Sequence, residues 1–281
     1  MTAAEDPDLD RLRGWIGRTE QASELLTPTL VARLLATLDR EDAQGMAAPL
    51  LVHHCLCQTA VPTGRLSPDG HPPRGGLLPP VPLPRRMWAG GAIAFRSRPR
   101  IGETVTRRSV VADVTMKQGR SGRLCFVTVN HDISSDGREV LSERQDIVYR
   151  DIAPEGSGPA PAQAQAPDGT HQRRICMPPE RLFRYSALTF NSHRIHYDLP
   201  YATGEEGYPG LVVQGPLQAM LLADLAAELR NAAPARFEFR SLSPAFAGVP
   251  LLLNARDAGD ALELWTAMQG GPVAMEARAQ W

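Results

Sequence analysis

Residues 183–198 read F-R-Y-S-A-L-T-F-N-S-H-R-I-H-Y-D, and they put His196 a short step after Asn191. Further on, Gly215 and Pro216 open the most apolar helical stretch of the chain. An imidazole titrates near neutral pH, so it can take a proton and give it back. An amide can hold a polar group in line for that transfer. A glycine N–H at a helix start has no side chain beside it, so it can lie against a carbonyl oxygen that gains charge. The three groups together suit reversible proton transfer beside an activated carbonyl.

Other residues near them have simpler uses. Asp198 either orients the imidazole or caps the local turn, and the second role is favoured. His193 and His196 stand three apart and would share a helical face, as metal ligands do. No third ligand follows at a useful spacing and Arg194 lies between them, so no metal is expected. Arg184, Arg194 and Arg240, with Arg85 and Arg86 in the front half, offer guanidinium groups to a phosphate or carboxylate. Trp88, within residues 79–91, is placed in one wall of a pocket, and Tyr208 and Gly210 in another. In the front half, His53 and His54 fall in an apolar run and His71 in a loop, without an amide or carboxylate ahead of a glycine-led helix. One site per chain follows, built by the second half and roofed by the first.

The elements that must hold these groups are legible in outline. Residues 9–38 carry apolar positions at helical spacing. Residues 63–84 are rich in Pro and Gly, too long for an ordinary connection and typical of functional or disordered loops. Strand-like runs occupy 93–97, 104–116, 124–133 and 140–150, with hairpin turns at 119–122 and 134–137. Residues 153–170 have the composition of a solvated linker. A helix over 216–230 follows, then strands near 235–241, 250–257, 261–269 and 273–280. Periodicity alone gives an α+β chain with antiparallel sheet.

Composition narrows the class. Hydrophobic residues make up 43% of 281, enough for a core, and a net charge of −1 argues against a nucleic-acid surface. No window approaches the ~18 apolar residues of a membrane span. The first residues are acidic where a signal peptide is basic and then apolar, so a cytoplasmic location is expected. Cys55, Cys57, Cys125 and Cys176 lack metal or redox spacing and read as reduced packing residues.

Residues 185–219 resemble the MaoC-like hydratase/dehydratase family, whose motif runs close to S-G-D-x-N-P-I-H-x-D and then H-G. His196 and Asp198 match it, as does Gly215. Asn191 stands in place of the family's Asp, His193 in place of Asn, Arg194 in place of Pro and Gln214 in place of the second histidine. An amide cannot accept a proton at neutral pH, so His196 would act as sole base and acid while Asn191 holds the water. Residues 75–91 and 145–150 are similar to the subfamily of two-hotdog hydroxyacyl-thioester dehydratases and mesaconyl- or itaconyl-CoA hydratases. The resemblance implies an α+β double hotdog, two antiparallel sheets each wrapping a central helix. It divides the chain into a degenerate half (1–152), a linker (153–172) and a catalytic half (173–281). It implies a hydro-lyase adding water to an α,β-unsaturated acyl-CoA, with a mesaconyl or itaconyl thioester giving citramalyl-CoA. The catalytic set is then His196, Asn191 and Gly215; the thioester is the substrate, no cofactor is needed, and a homo-oligomer is compatible. Alternatives are a fatty-acid or polyketide 3-hydroxyacyl-thioester dehydratase, a silent acyl-thioester binder and, least supported, a thioesterase.

Overall fold

A computed structural model describes residues 8–40, 47–119, 122–151 and 163–281. The stretch expected as one helix over 9–38 is three elements. Helix α1 (Leu9–Arg13) is capped by Asp8, strand β1 spans Thr19–Leu25, and helix α2 (Pro28–Thr37) starts at the Thr27–Pro28 pair. Thr27 accepts from the Leu30 N–H, and proline fits the first turn, where its missing donor costs nothing. β1 satisfies its backbone on β3 (Thr104–Gly119), from Thr19 opposite Val110 to Leu25 opposite Thr104. Tertiary pairing therefore overrides the local helical spacing.

The remaining strands are β2 (Arg85–Phe95), β4 (Gly122–Ser135) and β5 (Arg138–Arg150) in the first half. The second half contributes β6 (His171–Ile175), β7 (Arg236–Ser241), β8 (Leu251–Ala258), β9 (Ala261–Met268) and β10 (Val273–Gln280). β2 starts well before the expected residue 93, so Trp88 and its neighbours stand on a strand. All pairs are antiparallel, in the order β1-β3-β4-β5-β2-β7-β10-β9-β8-β6. Each half is the same plan, an edge strand, a helix and four more strands, and the copies meet at β2 and β7. This is a double hotdog. Helix α5 (Gly215–Arg230) lies over β7 to β10 and is buried on nearly every side from Leu217 to Ala226, as its all-round apolar sequence requires.

The halves differ where function needs them to. Only Leu26 and Thr27 separate β1 from α2. Between β6 and α5 the chain runs from Cys176 to Gln214 and forms α3 (Pro179–Leu188) and α4 (Leu199–Gly204). At the seam Gly91 faces Phe239, and a Cβ on Gly91 would lie 2.8 Å from the Phe239 ring. That space lets Phe239 stack on Trp88, centroids 4.4 Å apart.

Two smaller expectations change. The end of the linker is tied down: Ala166 N–H donates to the Gly271 carbonyl, Trp265 Nε1–H to Pro167 and Gly169 N–H to Asn254. β6 already begins at His171, while 152–162, like residues 120–121 of the expected 119–122 turn, lie outside the described residues. Cys55, Cys57 and Cys125 are buried, but Cys176 is exposed, because it follows β6 at the open edge of the sheet.

Candidate active site

The motif segment begins where α3 ends. Phe190 turns the chain with φ of 49°, and the Asn191 N–H returns to the Ser186 carbonyl. The Asn191 side-chain oxygen then accepts from the His193 N–H at 3.1 Å, a turn in which the amide mimics backbone. His196 sits on the single 3-10 turn Arg194–His196 and is 7% exposed. Its Nδ1 is 2.7 Å from the Val212 carbonyl. A carbonyl only accepts, so Nδ1 carries the hydrogen and Nε2 presents a bare lone pair. Burial pushes the His196 pKa down to about 4, against the pull of the Val212 carbonyl, so the ring is neutral at neutral pH.

Asp198 caps α4 by accepting from the Tyr201 N–H and pairs with Arg194 through two guanidinium contacts. Arg194 also stacks over Tyr201, 4.1 Å from its centroid, and donates to the Pro68 carbonyl. Its charge is spent on holding the fold. Gln214 donates to the Leu182 carbonyl and the Ser186 hydroxyl, which fixes the start of α5 to α3. The Gly215 N–H has no partner among the described residues. A Cβ on Gly215 would come 3.0 Å from the Trp88 ring, so glycine lets the indole lie against the helix start.

Sequence spacing does not reveal what the first half supplies. The turn at 67–71 docks on the motif segment: Arg194 N–H donates to the Asp69 carbonyl at 2.9 Å, and the Ser192 hydroxyl to Gly70. Asp69 accepts from both the His71 N–H (3.0 Å) and its Nδ1–H (2.9 Å). The His71 ring lies 4.1 Å from His193, which meets His196 edge-on at 5.4 Å. The cluster is therefore Asp69, His71, His193, His196. Burial lowers His71 to about 4 and His193 to about 2. Burial would raise Asp69, but the hydrogen bonds from His71 outweigh it and hold the carboxyl well below its usual range. One anion thus stands among three neutral imidazoles. The only signal in the sequence is a polar Asp-Gly-His inside a long Pro-rich passage.

Asp69, His71 and His193 also place three metal-ligand atoms within 4.8 Å, the third ligand that chain spacing fails to show. Arg86 lies close enough to lower the His193 pKa, and it would oppose a cation there. A second such group, His53, His54 and Glu143, is wholly buried. Both Nε2–H groups donate to the carboxylate at 3.1 Å. Burial takes His53 down to about 4. Burial would raise Glu143, but the charges and hydrogen bonds of the two histidines keep it well below the usual carboxylate range. His54 meets Trp88 edge-on at 6.0 Å, so this polar knot backs the pocket wall.

Of the other expected residues, Trp88 joins the site. Tyr208 is half-buried against Phe246, and Gly210 faces open space. Arg184 is exposed on α3, while Arg85 and Arg240 are paired with Glu206 and Glu276. An open cleft of about 530 Å³ flanks the turn, lined by Ser67, Asp69, Arg74, Arg85, Tyr201 and Glu206 among others.

Residues 51–247 match the hydroxyacyl-thioester dehydratase type 2 family. The chain belongs to that family. This type 2 dehydratase-family chain is 42% identical over 269 residues to the mesaconyl-C(4)-CoA hydratase of Chloroflexus aurantiacus, covering 95% of this chain and 96% of the relative. It is 44% identical over 93 residues to the mitochondrial hydroxyacyl-thioester dehydratase type 2 of Schizosaccharomyces pombe, 31% of this chain and 29% of that protein. Its fold is that of HtdX from Mycobacterium tuberculosis (TM-score 0.66, 16% identity, 92% of this chain and 98% of the other). A MaoC-like dehydratase of Phytophthora capsici is likewise similar (TM-score 0.68, 14% identity, 98% and 99%). Membership makes the chain a hydro-lyase. No helix among the described residues is long and apolar enough to cross a membrane.

Proposed function

We propose that this protein hydrates an α,β-unsaturated acyl-CoA whose acyl group is a branched C5 dicarboxylic acid, mesaconyl-C4-CoA giving citramalyl-CoA. The observation that carries the chemistry is the locked tautomer of His196, whose Nε2 lone pair sits in a buried, neutral ring beside the start of α5. Nε2 takes a proton from water while the water oxygen bonds to the β-carbon. The π electrons shift toward the thioester oxygen, which the Gly215 N–H stabilises as an enolate. The imidazolium then returns its proton to the α-carbon, so atoms and charge balance and no redox cofactor is required. The Asn191 NH₂ holds the water, its oxygen being spent on the turn. The near full-length likeness to the Chloroflexus hydratase supports the acyl group.

The match to the type 2 dehydratases favours a second reading, the same steps in reverse on a straight-chain 3-hydroxyacyl thioester. Loss of the conjugated-thioester absorbance separates the two. Purified protein is expected to hydrate mesaconyl-C4-CoA faster than crotonyl-CoA. Turnover of crotonyl-CoA alone would favour the straight-chain reading, and turnover of neither would leave a silent binder.

A further inference from the structure

Arg86 and Tyr149 are direct partners across β2 and β5, so their side chains leave the same face of the sheet. Trp88, two residues along β2, shares that face and touches Gly215. Arg86 has no ion pair among the described residues, whereas its neighbour Arg85 is paired with Glu206 at 3.2 Å. The Tyr149 hydroxyl is buried with no hydrogen-bond partner. Arg86 is the group within reach of that hydroxyl: its charge and its hydrogen-bonding reach both ease the burial that raises the tyrosine pKa. Arg74 lies over the other side of the same ring, 5.3 Å from its centroid, with its own N–H groups on the Val81, Leu83 and Pro84 carbonyls. The local charge is therefore two guanidinium groups against one carboxylate, Asp69, already engaged by His71.

A half-buried guanidinium with no ion pair among the described residues and a buried hydroxyl without a satisfied hydrogen bond thus stand together on the sheet face that carries Trp88, with Arg86 near enough to His71 and His193 to lower both. We infer that Arg86 and the Tyr149 hydroxyl receive the free carboxylate of a dicarboxylic acyl thioester. The inference rests on the function proposed above. In mesaconyl-C4-CoA the carboxylate sits on the β-carbon, the atom that takes the hydroxyl. Arg86 is close enough to His193 to lower its pKa, and His193 meets His196 at 5.4 Å, so a carboxylate on a β-carbon held at His196 would lie on the side of the site that carries Arg86. Binding it would fix which end of the double bond faces the water. A planar guanidinium suits two carboxylate oxygens, and the tyrosine supplies a third donor.

The test is a ratio: kcat/KM for mesaconyl-C4-CoA over that for crotonyl-CoA, which lacks the carboxylate, in the parent, Arg86→Gln, Arg86→Lys and Tyr149→Phe. Losing a charge-assisted pair of hydrogen bonds should lower the ratio about a hundredfold in Arg86→Gln. Arg86→Lys should recover part of it, and Tyr149→Phe should lower it about tenfold. A ratio unchanged in Arg86→Gln overturns the subsite, whatever the fall in absolute rate. A parent that hydrates crotonyl-CoA and ignores the dicarboxylic thioester instead removes the substrate reading, and the subsite with it.

Discussion

Replacing Gly70 with alanine tests whether the first half is part of the catalytic centre. Gly70 has φ of 89°, which alanine adopts only under strain of about 1–2 kcal/mol. Its added Cβ would also stand 2.8 Å from the Ser192 carbonyl carbon, with the oxygen closer still. Both neighbours are backbone, so the turn at 67–71 must back away from the motif segment by something on the order of 1 Å. That opens the bonds from Arg194 N–H to Asp69, from Arg194 to Pro68 and from Ser192 to Gly70. At about 1 kcal/mol each, the total cost with the strain is roughly 4–5 kcal/mol if all three are lost. Displacement of a site by ~1 Å commonly costs about a hundredfold in rate. Hydration rate and thermal melting should therefore both fall. Gly64→Ala, in the same Pro-rich passage with open space around it, serves as the control and should change neither. A Gly70→Ala protein working within a factor of two of the parent would refute the cross-half site.

His196→Ala should lower kcat by roughly 10² or more, as for lost acid–base catalysis, with far-UV circular dichroism unchanged. Asn191→Asp keeps the acceptor for the His193 N–H and should fold normally, but its added charge should move the acid limb of the pH–rate profile upward. Asn191→Ala loses turn and donor together, so kcat should drop and melting with it. His53 and His196 titrate near 4 when folded but near 6.5 when unfolded, so the unfolded chain binds more protons between those values. Stability is full above about pH 6.5 and should erode as pH falls to 4, by about 3 kcal/mol for each of these buried rings. Melting temperatures flat from pH 7 to 4.5 would contradict those buried neutral histidines.

How far these features could be read beforehand depended on the range of the interaction behind them. From α5 onward the second half was legible, because α5 is apolar all round and the strands after it alternate, whereas β6, α3 and α4 ahead of it were not. β1 was not: T-E-Q-A-S-E-L has little strand character and owes its form to β3. In the site, His196 and Gly215 stand close in sequence and were found together. Asp69 and His71 reach His193 only through the folded turn, so no spacing rule links them. Arg194 looks available from its type alone, yet geometry assigns it to the local frame, whereas the favoured role of Asp198 as a cap is the one it plays at the start of α4.

The seam between the halves has a consequence for how the molecule assembles. Trp88 lies between the Gly215 helix start and Phe239, and Phe239 in turn occupies the bare side of Gly91. Sliding β2 by two residues along β7 would bring the methyl of Ala89 or the side chain of Ile93 under that ring and push the indole off the helix. The glycines thus act as a key that admits one register. A mispaired dimer of halves would carry every residue of the site and still leave Arg86 and His71 several ångströms from His193.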